Sequence, residues 1–203
     1  MPQRRRPKKG DKMLEPMISV METYSTLGTS ELPNGVKLIG KCEDKGPLAY
    51  IHSIFPGLNE DELIKIEHEA GRKLPKDLRE MYIEANGLKY FFDTFTIYGL
   101  RSGAGRAVDT SRQPYSIQLP NVEERPSDAP ENAFFFGNYD WDGSLLYMTE
   151  NDSRVFFCSR DSSTPLMHWN NLEEMISLEA TRIKKLYDSK GREIDSRVST
   201  LPI

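Results

Sequence analysis

The sequence is poor in the residues on which cross-linked and metal-bound folds depend. It holds two cysteines and three histidines among 203 residues. Cys42 and Cys158 are too few for a disulfide framework and lack the paired spacing of a zinc site, so they are expected to be buried or free thiols. His52, His68 and His168 are scattered, and none stands at metal-ligand spacing from another histidine or cysteine. We expect neither a metal nor a cofactor.

Long apolar runs are missing as well. Stretches such as Phe134-Phe135-Phe136 are far shorter than the roughly 18 residues that a membrane-spanning helix needs. The basic start is followed by a mixed segment with Glu15 and Glu22, whereas a secretory signal would continue with an apolar core. These features predict a cytoplasmic protein that does not cross a membrane.

What is present is the composition of one globular domain with an uneven charge distribution. Hydrophobic residues make up 37% and charged residues 29% of the chain, which suits a single ordinary core. Residues 1–12 carry a net charge of +5 and form an expected flexible basic arm, with targeting or nucleic-acid contact as open alternatives. Residues 13–203 hold 21 lysines and arginines against 30 aspartates and glutamates, a net charge of −9. This body is expected to repel nucleic acid and to attract a basic partner.

Residues 13–54 form an expected N-terminal extension. Apolar residues in its first part recur at helical spacing, which predicts a short helix ended by Gly28. Two apolar runs between Val36 and Phe55 then suit a hairpin or a strand leading into a loop.

The sharpest local signals belong to two helices that follow. Asn59 and Glu62 have the spacing of a capping box, and Gly71 is expected to end this first helix. Pro75 fits the first turn of the second helix. That helix is expected to stop at the turn-forming pair Asn86-Gly87.

The pattern then changes to short strands separated by Gly, Pro, Asn and Asp clusters, before a closing helix capped by Asn170 or Asn171. Helices on both sides of a block of strands indicate an α+β domain, which we place at residues 55–190. Within it, residues 101–132 are expected to be a long exposed insertion around one short strand. Residues 191–203 are expected to be a loose tail. The predicted strands are Phe91 to Tyr98, Tyr115 to Leu119, Ala133 to Phe136, Leu145 to Met148 and Val155 to Phe157.

Two segments approach chemical motifs without completing them. Asn138 to Gly143 begins like a calcium loop, but Thr149 stands where the twelfth-position glutamate should be, so a turn between two strands is expected. Gly99 to Arg106 lacks the lysine that ends a phosphate-binding loop, so a flexible loop is the favoured interpretation, with nucleotide binding as a minor alternative. The sequence therefore contains no catalytic constellation, and we expect no enzyme.

Acidic and aromatic residues together give the best candidates for partner contacts. Tryptophan and tyrosine bury large areas while keeping a polar group, so they serve both in cores and at interfaces. Trp169 is expected in the core, whereas Trp141 suits core and interface equally. The candidate contacts, chosen for charge, aromatic character and loop position, are Glu123, Glu124, Tyr139, Asp140, Trp141 and Asp142.

The segment GRKLPKDLREMYIEANGL resembles the opening motif of the SUKH superfamily, the Smi/Knr-like proteins. The later segment from Phe134 to Ile176 is similar to that family in its order of strand, Gly/Asp turn, two strands and helix. The likeness covers about residues 55–187, and the chain departs from it in residues 1–54 and in the 101–132 insertion. The matching motif positions, with Trp169 added from the later segment, are Gly71, Leu74, Pro75, Tyr82, Asn86 and Gly87.

This resemblance implies a single binding domain, mostly an antiparallel sheet packed with N-terminal and C-terminal helices. The resemblance implies an immunity protein that binds and neutralises a cognate toxin, often a nuclease. Such toxins are polymorphic toxins that bacteria deploy in competition with one another. The alternative implied by the yeast relatives is a regulator or scaffold in a cell-wall or signalling pathway, with the basic arm used for targeting. The motif residues themselves have structural explanations, so the partner-binding residues are expected elsewhere.

Overall fold

The structure, a computed structural model, describes residues 12–102 and 112–203 and has the predicted α+β architecture. In this part of the chain, one antiparallel sheet contains nine strands whose spatial order follows the sequence. Helices stand at both ends of the chain and between β3 and β4. The strands are β1 (Thr29–Glu31), β2 (Lys37–Lys41), β3 (Tyr50–Pro56), β4 (Ala85–Tyr90), β5 (Phe95–Ile97), β6 (Ala133–Tyr139), β7 (Leu145–Thr149), β8 (Asp152–Cys158) and β9 (Pro165–Trp169). The helices are α1 (Glu15–Glu22), α2 (Glu60–Ala70), α3 (Lys76–Glu84) and α4 (Leu172–Lys184).

Helix α2 begins and ends as its sequence predicts. The Asn59 side chain accepts a 3.0 Å hydrogen bond from the Glu62 N–H, and Glu62 Oε2 accepts a 2.9 Å bond from the Asn59 N–H. This reciprocal pair satisfies two backbone donors that have no partner within the helix. Gly71 closes the helix with φ +66°, a left-handed conformation that glycine adopts without a steric penalty.

Side chains accept hydrogen bonds from the backbone N–H groups at the start of both terminal helices. Asn171 caps α4 by accepting a 2.8 Å hydrogen bond from the Glu174 N–H. At the other end of the chain, the Glu84 carboxylate accepts hydrogen bonds from the Met13 and Leu14 N–H groups, at 2.7 and 3.1 Å. Helix α3 therefore ends on a side chain that satisfies the start of α1. Helix α1 packs beside α4, and its buried residues Met17 and Met21 belong to the main core.

The main core lies between the helices and one face of the sheet. Along β6, Phe134 and Phe136 point into this core, while Ala133 and Phe135 belong to a smaller cluster on the opposite face. This alternation follows from the two-residue period of a strand. Trp169 is 4% exposed within the main core, as its sequence context predicted.

The Asn86-Gly87 pair does not stop α3, and that prediction is wrong. The helix ends at Glu84, the chain turns directly into β4, and both residues lie in that strand. The Asn86 side chain donates a 2.8 Å hydrogen bond to the Leu100 carbonyl and accepts a 2.7 Å bond from the Leu100 N–H. Gly87 has φ +87°, and a Cβ there would lie 2.4 Å from the Ile97 carbonyl oxygen. The pair allows two backbone segments to approach closely.

The segment after residue 112 is partly built into the sheet, which corrects the expectation of an exposed insertion with a strand. In place of the predicted strand over Tyr115 to Leu119, the structure has a bridge at Ser116 and a helical turn over Leu119–Glu123. Strand β5 is short and pairs only with the end of β6. Nearer the start of β6, the buried Asn121 side chain takes the place of a neighbouring strand. This amide donates to the Phe135 carbonyl at 2.7 Å and accepts from the Phe135 N–H at 2.9 Å. Side-chain pairing with a strand edge leaves no periodic pattern in the sequence.

Both chain ends are more integrated than the sequence indicated. The short helix predicted in residues 13–54 is present, but it ends at Glu22 and a separate helical turn precedes Gly28. Of the two alternatives for Val36 to Phe55, the structure has the hairpin, and β1, β2 and β3 belong to the same sheet as the remaining strands. The C-terminal segment is not a loose tail throughout. The Arg182 guanidinium donates to the Thr200 carbonyl at 2.7 Å and to the Leu201 carbonyl at 3.0 Å. The expected flexible arm falls almost wholly on residues 1–11, outside the described residues.

Candidate partner-binding cleft

A cleft of about 370 Å³ opens where the end of β6, the β6–β7 turn and the segment after residue 112 meet. Tyr98 and Tyr115 form its aromatic wall, with ring centroids 6.4 Å apart. The carboxylates of Glu124, Asp140 and Asp142 line the same space. Three of the predicted contact residues, from two distant segments, therefore share one cleft.

The β6–β7 turn fixes two of these carboxylates. The Gly143 N–H donates to the Tyr139 carbonyl at 3.0 Å, and Gly143 has φ +77°. The Asp142 carboxylate accepts a 2.8 Å hydrogen bond from the Ser144 N–H, a local bond that is typical of aspartate in turns. The turn between two strands is confirmed, and it presents Asp140 and Asp142 to solvent.

A strained backbone segment supports the aromatic wall. Phe91, Phe92 and Asp93 all have positive φ, at 48°, 52° and 76°. Non-glycine residues with such angles cost energy and are frequent at functional sites. The Asp93 carboxylate accepts a 2.7 Å hydrogen bond from the Tyr115 hydroxyl and a 3.1 Å bond from the Lys89 ammonium group.

At the other end of the cleft, an arginine is held by one of the predicted glutamates. Arg160 donates a 2.9 Å hydrogen bond to Glu124 Oε2, and both side chains are about half exposed. The pair is therefore free to rearrange at little cost, as expected of surface ion pairs. Gly143 packs beside this arginine, since a Cβ at Gly143 would lie 3.2 Å from Arg160 Cδ.

The electrostatics of the cleft are acidic. Burial raises the pKa of the Tyr115 hydroxyl, and the hydrogen bond to Asp93 and the charges of Asp93 and Asp140 raise it further. Burial, and then the charge of Glu124, raise the pKa of Tyr98 to about 12, while Arg160 opposes this shift. Among the described residues, no lysine or arginine is ion-paired with Asp140 or Asp142. Their charges are available to an external cation.

The remaining predicted contacts separate into surface and core. Trp141 is 47% exposed on the turn beside the cleft, and Glu123 is exposed next to the lining residue Glu124. Tyr139 is fully buried, and its hydroxyl donates a 2.6 Å hydrogen bond to Glu179. Tyr139 therefore does not belong among the surface contacts, which corrects that prediction. The register of β6 against β7 shifts between Phe135 and Gly137, and beyond this irregularity the odd-numbered Tyr139 faces the same main core as Phe134 and Phe136.

The sequence did not indicate the aromatic wall of Tyr98 and Tyr115, nor that Asn138 lines the cleft. In the sequence, Asn138 matches only the first position of an incomplete calcium loop, although it directly precedes the acidic turn. Tyr98, Tyr115 and Arg160 stand far from that turn in the chain. The only local signal is that Tyr98 and Tyr115 stand on either side of a Gly- and Arg-rich segment, and Arg160 has no such signal.

Other chemical alternatives have little support in the described residues. Within them, no group of three or more His, Cys, Asp or Glu side chains is placed to hold a metal ion. Burial raises the pKa of the Cys158 thiol to about 12, which keeps it protonated. Half of the Gly99 to Arg106 loop, residues 103–106, lies outside the described part of the chain. No described helix has the length and apolarity needed to span a membrane.

The fold and the cleft define an α+β domain with a nine-stranded antiparallel sheet and an acidic, aromatic recess. The model of the SMI1/KNR4 family (SUKH-1) matches residues 57–178, and the chain belongs to this family. Every cleft-lining residue falls within the matched range. Membership places the chain among proteins of an immunity or regulatory kind in a generally non-enzymatic family. No curated protein matches the chain significantly.

Proposed function

We propose that this chain is a cytoplasmic immunity protein that neutralises a cognate toxin domain by direct binding, and that the toxin is a nuclease. The observation that carries the proposal is the meeting of Glu124, Asp140 and Asp142 around a cleft with two tyrosines. Carboxylates that come from separate segments form a concave surface complementary to a basic one. We place the toxin contact at this cleft.

The overall charge supports a cationic partner. Residues 13–203 have a net charge of −9, and the cleft carries the carboxylates of Asp140 and Asp142 at its rim. Such a field steers a basic protein toward the cleft and accelerates association at low salt. A nuclease must bind a polyanion, so the surface that holds its substrate is basic. An acidic inhibitor that covers that surface would block substrate access.

The exposed aromatic groups support tight binding as well as attraction. Trp141 stands beside the cleft with about half of its surface accessible, and Tyr115 is 39% exposed. Tryptophan, tyrosine and arginine are the residues that most often dominate binding energy at interfaces. We expect Trp141 to be buried by the partner, whereas the carboxylates determine association rate and specificity.

The test is quantitative affinity capture from the source cells with three forms of the tagged full chain. The cleft variant is Asp140→Asn/Asp142→Asn, in which the amide oxygen introduced at position 142 can still accept the hydrogen bond from the Ser144 N–H. The matched control is Asp44→Asn/Glu150→Gln, which removes the same charge from exposed positions away from the cleft. Captured proteins are compared at low and moderate salt.

We expect one stoichiometric basic protein with the wild type and the control, and at least about a tenfold loss with the cleft variant. Expressed alone, that protein should inhibit growth, and co-expression of the wild type, with or without residues 1–12, should restore growth. Equal capture by the cleft variant would refute the site. A broad set of kinases or wall enzymes, lost on deletion of residues 1–12, would refute immunity in favour of the scaffold alternative.

A further inference from the structure

We infer that the cleft binds one arginine side chain of the partner, with its guanidinium group between the tyrosine wall and the carboxylates of Asp140 and Asp142. This inference rests on the proposed function and names the chemical group that the same cleft recognises. The volume of about 370 Å³ is near the low end of the roughly 300–1,000 Å³ typical of small-ligand sites. It therefore suits a single side chain better than an inserted helix or strand.

One residue that lines the cleft has an acceptor atom without a hydrogen-bond donor. Asn138 lines the cleft, and its amide oxygen is buried without a hydrogen-bond partner in the described structure. Buried polar atoms are nearly always paired, so an unpaired one calls for an explanation such as an external ligand. The cleft holds the Asp140 and Asp142 carboxylates around the same space, and these groups also accept hydrogen bonds. A ligand group that offers several N–H donors would match this set of acceptors.

Two carboxylates in or near the cleft are already paired with cations of the chain itself. Arg160 is bound by Glu124 at one end of the cleft. Beside Tyr115, the Lys89 ammonium lies 3.9 Å from the centroid of that ring and is paired with Asp93, although neither Lys89 nor Asp93 lines the cleft. Asp140 and Asp142 lie among these groups without an ion-paired cation in the described residues. Glu124 and Asp93 are thus each paired with a cation of the chain, whereas Asp140 and Asp142 are not, which leaves a place for one more positive charge.

Arginine fits this arrangement better than lysine. Its planar guanidinium offers five N–H donors in fixed directions and stacks on aromatic faces, whereas the ammonium of lysine is a compact, strongly hydrated charge. The cleft is lined by a tyrosine pair, two carboxylates and the side chain of Asn138. A guanidinium can satisfy several of these acceptors while its flat face lies on a ring.

The test uses the full chain without any partner, titrated with Nα-acetyl-arginine amide and followed by NMR. The readouts are the Asn138 side-chain amide and the ring signals of Tyr98 and Tyr115. The matched neutral probe is Nα-acetyl-citrulline amide, which keeps the shape of arginine but lacks the charge, and the lysine analogue tests the preference. The variants are Asn138→Ala, Asp140→Asn/Asp142→Asn and the control Asp44→Asn/Glu150→Gln, each first compared with the wild type by its backbone NMR spectrum.

We expect saturable shifts at the three readout residues with the arginine probe, about tenfold weaker binding of citrulline, and intermediate binding of lysine. The cleft variants should each weaken arginine binding at least about fivefold, while the control leaves it unchanged. Equal shifts with citrulline, shifts that map elsewhere, or no shifts would overturn the inference. If arginine fails to bind while toxin capture still depends on Asp140 and Asp142, the proposed function stands and this inference alone is refuted.

Discussion

The Tyr139 hydroxyl donates a 2.6 Å hydrogen bond to the Glu179 carboxylate inside the core, immediately before the turn that presents Asp140 to solvent. Glu179 is also bound by Arg182, whose Nη2 lies 2.6 Å from the same oxygen. The acidic turn therefore begins from a strand that is anchored to α4. Two adjacent residues therefore have different roles: Tyr139 holds β6 against α4, and Asp140 is exposed at the cleft.

Replacing Tyr139 by Phe separates these roles. The change removes one hydrogen bond to a charged group, while Glu179 keeps its bonds to Arg182, so the free energy of unfolding should fall by about 1.5 kcal/mol. Urea denaturation measures this loss. Because the ring stays in the core and the turn is unchanged, arginine-probe binding should stay within about twofold of the wild type. A large loss of binding without a loss of stability would contradict the assignment of Tyr139 to the core.

The C-terminal segment should depend on Arg182. Its substitution by Ala leaves the buried Glu179 carboxylate without its cation and removes the donors to the Thr200 and Leu201 carbonyls. Removing one partner of a buried ion pair costs about 3 kcal/mol or more. We expect that loss in the free energy of unfolding, together with faster hydrogen exchange of the amides near Leu201. Arg197→Ala breaks an exposed ion pair with Asp195 and is the matched control, which should leave the unfolding midpoint close to that of the wild type.

Two glycines of the family motif should differ in their tolerance of alanine. Gly71 and Gly87 both have positive φ, but open space surrounds Gly71, whereas a Cβ at Gly87 would lie 2.4 Å from the Ile97 carbonyl oxygen. Gly71→Ala should therefore cost about 1 kcal/mol for the left-handed conformation alone. Gly87→Ala adds a backbone clash and should cost roughly 3 kcal/mol or more. Thermal and urea unfolding of the two variants compare these costs, and similar values would contradict the close approach at Gly87.

The buried imidazole of His52 should make stability depend on pH. Burial lowers the pKa of His52 to about 3, and its Nδ1 accepts a 3.2 Å hydrogen bond from the Phe91 N–H. The unfolded chain binds this proton near pH 6.5, so the unfolded state holds more protons than the native state between about pH 3 and 6.5. Stability is therefore complete above about pH 6.5 and is lost as the pH falls, by up to about 1.4 kcal/mol per pH unit from this group.

The measurement is the free energy of unfolding between about pH 5 and 6.5, above the range in which most carboxylates titrate. His52→Asn keeps an acceptor for the Phe91 N–H and removes the titration, so its slope should be flatter than that of the wild type. His68→Asn, at an exposed position on α2, is the matched control for the substitution itself. Identical slopes for His52→Asn and the wild type would show that His52 does not supply the pH dependence.

Elements with local signals can be predicted from the sequence, and elements without them cannot. The capping box of Asn59 and Glu62 and the cap at Asn171 depend on residues a few positions apart, so the predicted starts of α2 and α4 agree with the observed ones. The same local reasoning fails at Asn86-Gly87. There the side-chain partner is Leu100 and the close contact is Ile97, and neither contact can be inferred from a dipeptide.

For the candidate cleft, the sequence indicates which acidic residues are exposed, and the structure shows that they line one concave surface. Charge and loop position select Glu124, Asp140 and Asp142, and the structure brings them together. The same criteria wrongly include Tyr139, because a residue at the end of a strand faces the core or the solvent according to the register of the whole sheet.

The caps of α2 and α4, the strand-rich second half, the family and the acidic charge of the body follow from the sequence alone, because they depend on composition and on neighbours along the chain. The grouping of Tyr98, Tyr115, Asn138 and Arg160 with the carboxylates around one recess emerges only in the folded chain. Their contacts depend on sheet register and on buried hydrogen bonds, such as those of Asn121 with Phe135, which hold distant segments together.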